Sequence, residues 1–314
     1  MSISSPVTTT SPEPLAARGY VLMHACVLLF GFTPIMGRLI TLDALPLVWW
    51  RMALAAVALL SLPASWRGIR KLSPRLLALC CAAGVVLATS WALFYLAVKL
   101  TNASVAAVCL GTAPLFVAVF GPVVMRRPWK RSDLGLAAAI VPGVALVVGG
   151  IPPDMYLGLG VGLLSAAVLI VFSGLNKVLA NRVHPLSATC IEMGAGAAFL
   201  AAVLFLLPGD DAVLTVPHGR DLVLLLVFAI ALTALPIAMM LAALRHISVF
   251  AQQMAVNLEP VYAVLLAVPL LGEQRQLGPL FYLGVLVIVG TVMAEPAMYW
   301  LRAGRRRGRS KKRV

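Results

Sequence analysis

Few ionisable side chains fall inside the long apolar runs of this sequence, and each is a candidate for chemistry. The first is Glu259, in the stretch NLEPVYAVLLAVPLLGEQ over residues 257–274. A charged acid at the centre of a membrane helix costs roughly 2.5–3.5 kcal/mol, so it indicates function by default. Glu259 could carry a coupling proton or contact a cationic substrate. It could also be structural, because Pro260 lacks an N–H and frees a backbone carbonyl one turn earlier.

Other polar residues surround Glu259 and extend the candidate site. On a continuous helix, Gln252 shares a face with Glu259, and Gln253 and Asn257 lie beside that face at a four-residue spacing. The pattern predicts a polar stripe facing a cavity, followed by an apolar half. Tyr262, in the same stretch, is included among the candidates for substrate or coupling contacts.

Arg51 is the second ionisable group inside an apolar run, VWWRMALAA. Its side chain could reach back to the membrane interface past the neighbouring tryptophans. Alternatively, it could face a cavity and bind an anionic substrate. Glu192 holds a similar place in a later run, and Glu273 is predicted to be a solvated helix end.

Composition identifies the environment of these residues. Of the 314 residues, 61% are apolar and 11% are charged, and the mean hydropathy is +0.99. Soluble domains carry about 25% charged residues, and a membrane span needs about 20 apolar residues. The chain is therefore predicted to be an all-α integral membrane protein. We place ten spans, at residues 20–40, 45–64, 75–98, 102–125, 133–150, 156–179, 187–207, 221–244, 248–271 and 277–300.

Basic residues predict the orientation, since Lys and Arg accumulate in cytoplasmic loops. They cluster in the segments 66–75 and 126–131 and in the tail RRRGRSKKRV. We therefore predict a protein of the inner membrane with both termini in the cytoplasm. The net charge of +14 then needs no nucleic acid, because a basic tail meets anionic lipid headgroups. Residues 1–19 are predicted to be a disordered tail and residues 301–314 a basic tail.

The two halves of the sequence resemble each other. The run from Tyr95 lies over the run from Leu241 without a gap, which matches Lys99 to Arg245 and Pro114 to Pro260. Repeats at 20–150 and 156–300, with five spans each, must be inverted relative to one another. Inverted repeats place a substrate site near the bilayer midplane and support alternating access.

These features resemble the EamA-type members of the drug/metabolite transporter superfamily. The resemblance rests on the ten-span plan, the duplicated five-span unit and the phrase LEPVYAVLLAVPLLGE, and it covers essentially residues 20–300. The first repeat departs from the phrase, with Ala113 opposite Glu259 and two arginines in place of Gly-Glu. The resemblance implies a proton- or gradient-linked permease or exporter of small metabolites, amino acids or amphipathic toxic compounds.

The resemblance also implies that spans 1, 3, 4, 6, 8 and 9 line the cavity, which adds candidates. Trp91 and Tyr95 belong to an aromatic cluster on span 3 that is either cavity wall or packing. His24 on span 1 is expected to hydrogen-bond a neighbouring helix. Asn176 on span 6 lies in a stretch whose glycine suggests a bent helix, and freed backbone groups of such helices can bind ligands.

Other classes of protein fit less well. The five cysteines lie in or at the edges of predicted spans, with no spacing typical of disulfides or metal sites. We predict no catalytic residue, metal or cofactor, since no HExxH motif or paired intramembrane acid is present. A structural or sensory membrane protein is the main alternative, followed by a membrane enzyme or a channel. The expected partners are a small-molecule substrate, membrane lipid and, as a possibility, a second copy of the chain.

Overall fold

The computed structural model describes residues 13–124, 128–129, 131–180, 182–206, 216–243, 246–247, 252 and 255–294. The first repeat contains the helices α1 (Glu13–Gly31), α2 (Thr33–Leu39), α3 (Ala44–Leu60), α4 (Pro63–Ile69), α5 (Pro74–Leu100), α6 (Ala103–Gly111), α7 (Ala113–Val124) and α8 (Arg131–Gly149). The second contains α9 (Tyr156–Leu179), α10 (Pro185–Leu206), α11 (Gly219–Ala229), a π-helical segment (Ile230–Ala234), α12 (Leu235–Ala243), α13 (Glu259–Leu271) and α14 (Pro279–Ala294).

The helices have the length and composition of a multi-pass membrane protein. Within the part of the chain that the structure describes, six stretches are long and apolar enough to cross a membrane, and α3 with α4 forms a seventh candidate that bends by 91°. Three shorter apolar helices cover Ala137–Gly149, Glu259–Leu271 and Pro279–Ala294. Each of the ten predicted spans overlaps one of these elements. The all-helical class is confirmed for the described residues, and the count of ten crossings stays a prediction.

Several spans are interrupted where the sequence places Pro and Gly. The first breaks between Gly31 and Thr33, with Pro34 in the first turn of α2, and the fourth breaks between α6 and α7. The ninth predicted span, 248–271, is wrong as one continuous helix, because Asn257 and Leu258 form a turn before α13. A proline cannot donate the backbone bond that a helix interior needs, so the helix restarts at Glu259.

The chain termini differ from expectation in one respect. α1 begins at Glu13, inside the segment predicted to be a disordered tail, because good helix formers such as Leu15 and Ala16 extend the first span backwards. Residues 1–12 and the basic tail 301–314 lie outside the described residues.

The two repeats pack tightly against each other through α5. This helix packs most extensively on α9 and α10, and α10 also packs on α3. Ser90 and Ser165 exchange hydrogen bonds across the α5–α9 contact, each hydroxyl donating to the other residue's carbonyl at 3.0 and 2.7 Å. Such small polar residues hold membrane helices together at short distance. The buried core therefore runs across the boundary between the repeats.

Glu273 was predicted to be a solvated helix end, and this is wrong: its side chain is only 3% exposed. Gly272, in the left-handed conformation at φ 69°, ends α13 and turns the chain toward the start of α6. There the Glu273 carboxylate accepts hydrogen bonds from the backbone N–H of Ala103 at 2.8 Å and of Ser104 at 2.9 Å. It satisfies backbone donors that a helix start leaves unpaired and complements the helix dipole.

Candidate functional site

Arg51 is buried between the two repeats, seven residues after the start of α3. Its side chain is 4% exposed, so it does not extend to the membrane interface. The Nε atom donates to Thr233 Oγ1 at 3.0 Å, and Nη1 donates to the Tyr95 hydroxyl at 2.9 Å. Thr233 belongs to the second repeat and Tyr95 to the first, so the guanidinium bridges them.

Aromatic rings surround the Arg51 guanidinium. Its central carbon lies 3.7 Å from the centroid of the Trp91 ring, 4.3 Å from that of Phe228 and 5.7 Å from that of Tyr95. The negative faces of aromatic rings attract a cation, with about 2 kcal/mol available when the contact is desolvated. The aromatic cluster predicted on span 3 thus contacts Arg51. Phe228 is a further aromatic contact of Arg51 that was not predicted from the sequence.

Two irregular backbone segments contact the Arg51 cluster, which consists of Arg51, Trp91, Tyr95, Phe228 and Thr233. Thr233 lies in the π-helical segment, where its hydroxyl also donates to the Phe228 carbonyl at 2.9 Å. The Tyr95 hydroxyl lies 3.4 Å from the carbonyl of Thr33, at the break between α1 and α2. π-helical turns and broken membrane helices frequently occur at functional sites, because their backbone groups are free to bind ligands.

Glu259 lies near this cluster at the first position of α13. It is half-buried and interacts electrostatically with Arg51. Among the described residues the two charged groups form no direct ion pair. An acid in the first turn also stabilises the helix start, with Pro260 following it as the structural alternative requires. The position of Glu259 is compatible with either role.

A second polar contact joins α1 to α13. His24 Nδ1 lies 3.1 Å from the Tyr262 hydroxyl, and the two rings meet edge to face. This is the contact with a neighbouring helix that was expected for His24. Gln252 and Asn257 are both half-buried, Asn257 lies in the turn before α13, and Gln253 lies outside the described residues. The polar stripe predicted for one helix face is therefore divided by the turn before α13.

Asn176 does not join the Arg51 cluster. It lies half-buried on α9, where its amide donates to the Phe172 carbonyl at 3.4 Å and its side chain lies close to Glu192 of α10. Glu192 was noted in the sequence but was not among the candidates. Its burial depends on the α5–α10 contact between the repeats, which a linear pattern does not show.

The described residues contain no group of three or more His, Cys, Asp or Glu side chains close enough to hold a metal ion. The chemical capability of the site is instead recognition: one buried cation, two hydroxyls, aromatic faces and a nearby acid. Helices from both repeats carry these groups, which defines a multi-pass membrane protein with a polar centre between two halves.

Comparison with known proteins agrees with this class. The family model described as EamA-like transporter family matches residues 17–149 and again residues 155–294. The chain belongs to this family, so it is a membrane transporter of the drug/metabolite transporter type with two repeats. The resemblance seen in the sequence is confirmed.

A solved structure supports the fold alone. A structure described as "Crystal structure of protein" superposes with a TM-score of 0.60 at 15% identity, covering 91% of this chain and 99% of the other. Among the curated proteins, no sequence matches this chain.

Proposed function

We propose that the protein is a secondary transporter that moves a small organic molecule bearing an acidic group across the inner membrane by alternating access. The two inverted repeats rock against each other, and the substrate binds at the Arg51 cluster between them. A proton or another gradient drives the transport, with Glu259 as the acid closest to the bound substrate.

The observation that carries this proposal is the environment of Arg51. A buried charge in a membrane is stable only when it is paired or strongly hydrogen-bonded. Two neutral hydroxyls and aromatic faces surround the guanidinium, and no described carboxylate pairs with it directly. An acidic group of the substrate would complete this coordination with bidentate, charge-assisted hydrogen bonds.

The aromatic rings beside Arg51 limit which chemical groups can follow the acidic group of the substrate. Trp91 is half-buried and lies against the guanidinium, so it can offer a flat apolar surface to the part of the substrate that follows its acidic group. Small metabolites, amino acids and amphipathic compounds with an acidic group all meet this description. Family membership does not choose between them, because function resides in the site rather than the fold.

Growth of a strain overexpressing the protein, across a panel of toxic metabolites and drugs, identifies the substrate class. The compounds that change growth are then tested for flux in proteoliposomes with wild-type protein, Arg51→Gln and the control Gly194→Ala, whose methyl group meets no atom within 4 Å. We expect flux of acidic compounds in the wild type and the control, and loss of at least tenfold in Arg51→Gln. Equal flux in all three variants would exclude Arg51 as the binding group. Absence of flux across the panel would favour the structural or sensory alternative.

A further inference from the structure

Glu192 is a second buried ionisable group at the boundary between the repeats, distinct from the Arg51 cluster. It lies on α10, and its side chain is 4% exposed. α10 packs on α5 and α3 of the first repeat. The contact that buries Glu192 is therefore one that alternating access must change.

The α5–α10 crossing is close at the point where Glu192 lies, and the Glu192 side chain is buried. A Cβ atom added at Gly84 would lie 2.3 Å from the Glu192 carbonyl oxygen, and one added at Gly196 would lie 2.9 Å from the Gly84 oxygen. The two backbones are thus in direct contact over successive turns. Such crossings exclude solvent as long as the helices stay together.

The groups that face the Glu192 carboxyl are neutral in character. From α9, the Asn176 amide lies close to it, and from α5 the thiol of Cys80 lies within electrostatic range. Oε1 has no hydrogen-bond partner. Arg67 of α4, which also packs on α10, is exposed, and the Arg51 guanidinium of α3 donates to Thr233 and Tyr95 instead. Within the described residues, Glu192 forms no salt bridge.

The positions of the two buried ionisable groups in the repeats also correspond. Arg51 follows the first residue of α3, Ala44, by seven positions, and Glu192 follows the first residue of α10, Pro185, by seven positions. If the repeats are inverted, as the five-span unit predicts, these equivalent depths lie toward opposite membrane faces. Arg51 is then nearer the outside and Glu192 nearer the cytoplasm.

We propose that Glu192 is a proton-binding site whose occupancy is linked to the separation of α5 from α10. In the packed state shown here the carboxyl holds its proton, because an uncompensated carboxylate in this interior is strongly disfavoured. When the cytoplasmic side opens, water reaches the carboxyl. The O–H bond breaks, its electron pair stays on the carboxylate, and the proton passes to water. This role rests on the proposed transport function for its purpose, but the binding of the proton can be measured without a substrate.

Infrared spectroscopy of protein reconstituted in lipid tests the protonation directly. The wild type is expected to show a carbonyl-stretch band of a protonated carboxylic acid that Asn176→Ala shifts, since that variant removes the polar amide close to Glu192. Glu192→Gln, which is nearly isosteric, loses this band, and Glu259→Gln keeps it. If Glu192→Gln keeps the same band, the carboxyl is ionised in the packed state and the proposal is overturned.

Hydrogen exchange measured by mass spectrometry tests the link to helix separation. After correction for the intrinsic pH dependence of amide exchange, raising the pH should lower the protection of the first half of α10 and the facing part of α5 in the wild type. Glu192→Gln should lose this pH dependence of protection, and Asp154→Asn, on an exposed turn, should retain it. Equal pH dependence in the wild type and Glu192→Gln would show that the proton does not control the contact. If both measurements succeed but proteoliposomes show no flux, the proton site stands and the transport function fails.

Discussion

Neutral groups hold the guanidinium of Arg51 inside the protein. Replacing one of these groups measures the strength of its contact with the guanidinium. Arg51 was a candidate site residue from the sequence, because a basic residue inside an apolar run is rare. Its hydrogen-bond partners could not be predicted, since Thr233 lies 182 residues away in the chain. Burial of the side chain excludes its extension to the membrane interface, and binding of an anionic substrate stays a prediction.

The hydroxyl of Tyr95 provides a test of this network at the scale of one atom. Tyr95→Phe removes the hydrogen bond to Arg51 and is expected to destabilise the protein by about 2 kcal/mol, as for a buried bond to a charged group. The matched control is Tyr262→Phe, which removes a bond between α13 and the exposed His24 and should cost about 1 kcal/mol. Reversible unfolding in mixed micelles measures both, and a larger loss for Tyr262→Phe would contradict the account.

Glu273 connects α6 to the end of α13 through two backbone N–H groups, although 170 residues separate it from Ala103. Glu273→Gln leaves one oxygen to accept two donors and should destabilise the protein by about 2 kcal/mol. Deuterium uptake of the first turn of α6 should rise. The control is Asp154→Asn on an exposed turn, which should change neither. Unchanged exchange at Ala103 and Ser104 in Glu273→Gln would show that the carboxylate does not hold the helix start.

At the scale of elements, the crossing of α5 and α10 requires glycine. Gly84→Ala places a methyl group 2.3 Å from a backbone oxygen, so the helices must move apart, at a cost of about 1–3 kcal/mol for overpacking. Gly194→Ala on α10 makes no new contact and gains helix propensity. We expect Gly84→Ala to lower the melting temperature and the yield of monodisperse protein in size-exclusion chromatography, while Gly194→Ala preserves both. Equal behaviour of the two variants would contradict the crossing.

At the scale of the whole molecule, composition and the duplicated phrase were sufficient to predict the class and the two repeats. Hydropathy determines where a chain crosses lipid, because every backbone group there must bond internally. It does not determine breaks such as the turn at Asn257, where proline chemistry competes with the apolar pattern. It also cannot show which helices meet, and the contacts of Glu192 and Glu273 depend on that packing.

Alternating access requires that the two repeats separate at one membrane face while they close at the other. Double electron–electron resonance in lipid nanodiscs measures this with spin labels at exposed positions, after the half-buried Cys81 is replaced by serine. One pair joins Leu77 of α5 to His184 before α10, and the other joins Leu100 of α5 to Leu222 of α11. The first pair reports the end predicted to face the cytoplasm and the second the opposite end.

We expect two distance populations for each pair. Conditions that lengthen the Leu77–His184 distance, such as alkaline pH or the substrate identified by growth, should shorten the Leu100–Leu222 distance. A single distribution for both pairs, unchanged by pH and by substrate, would contradict alternating access between the repeats.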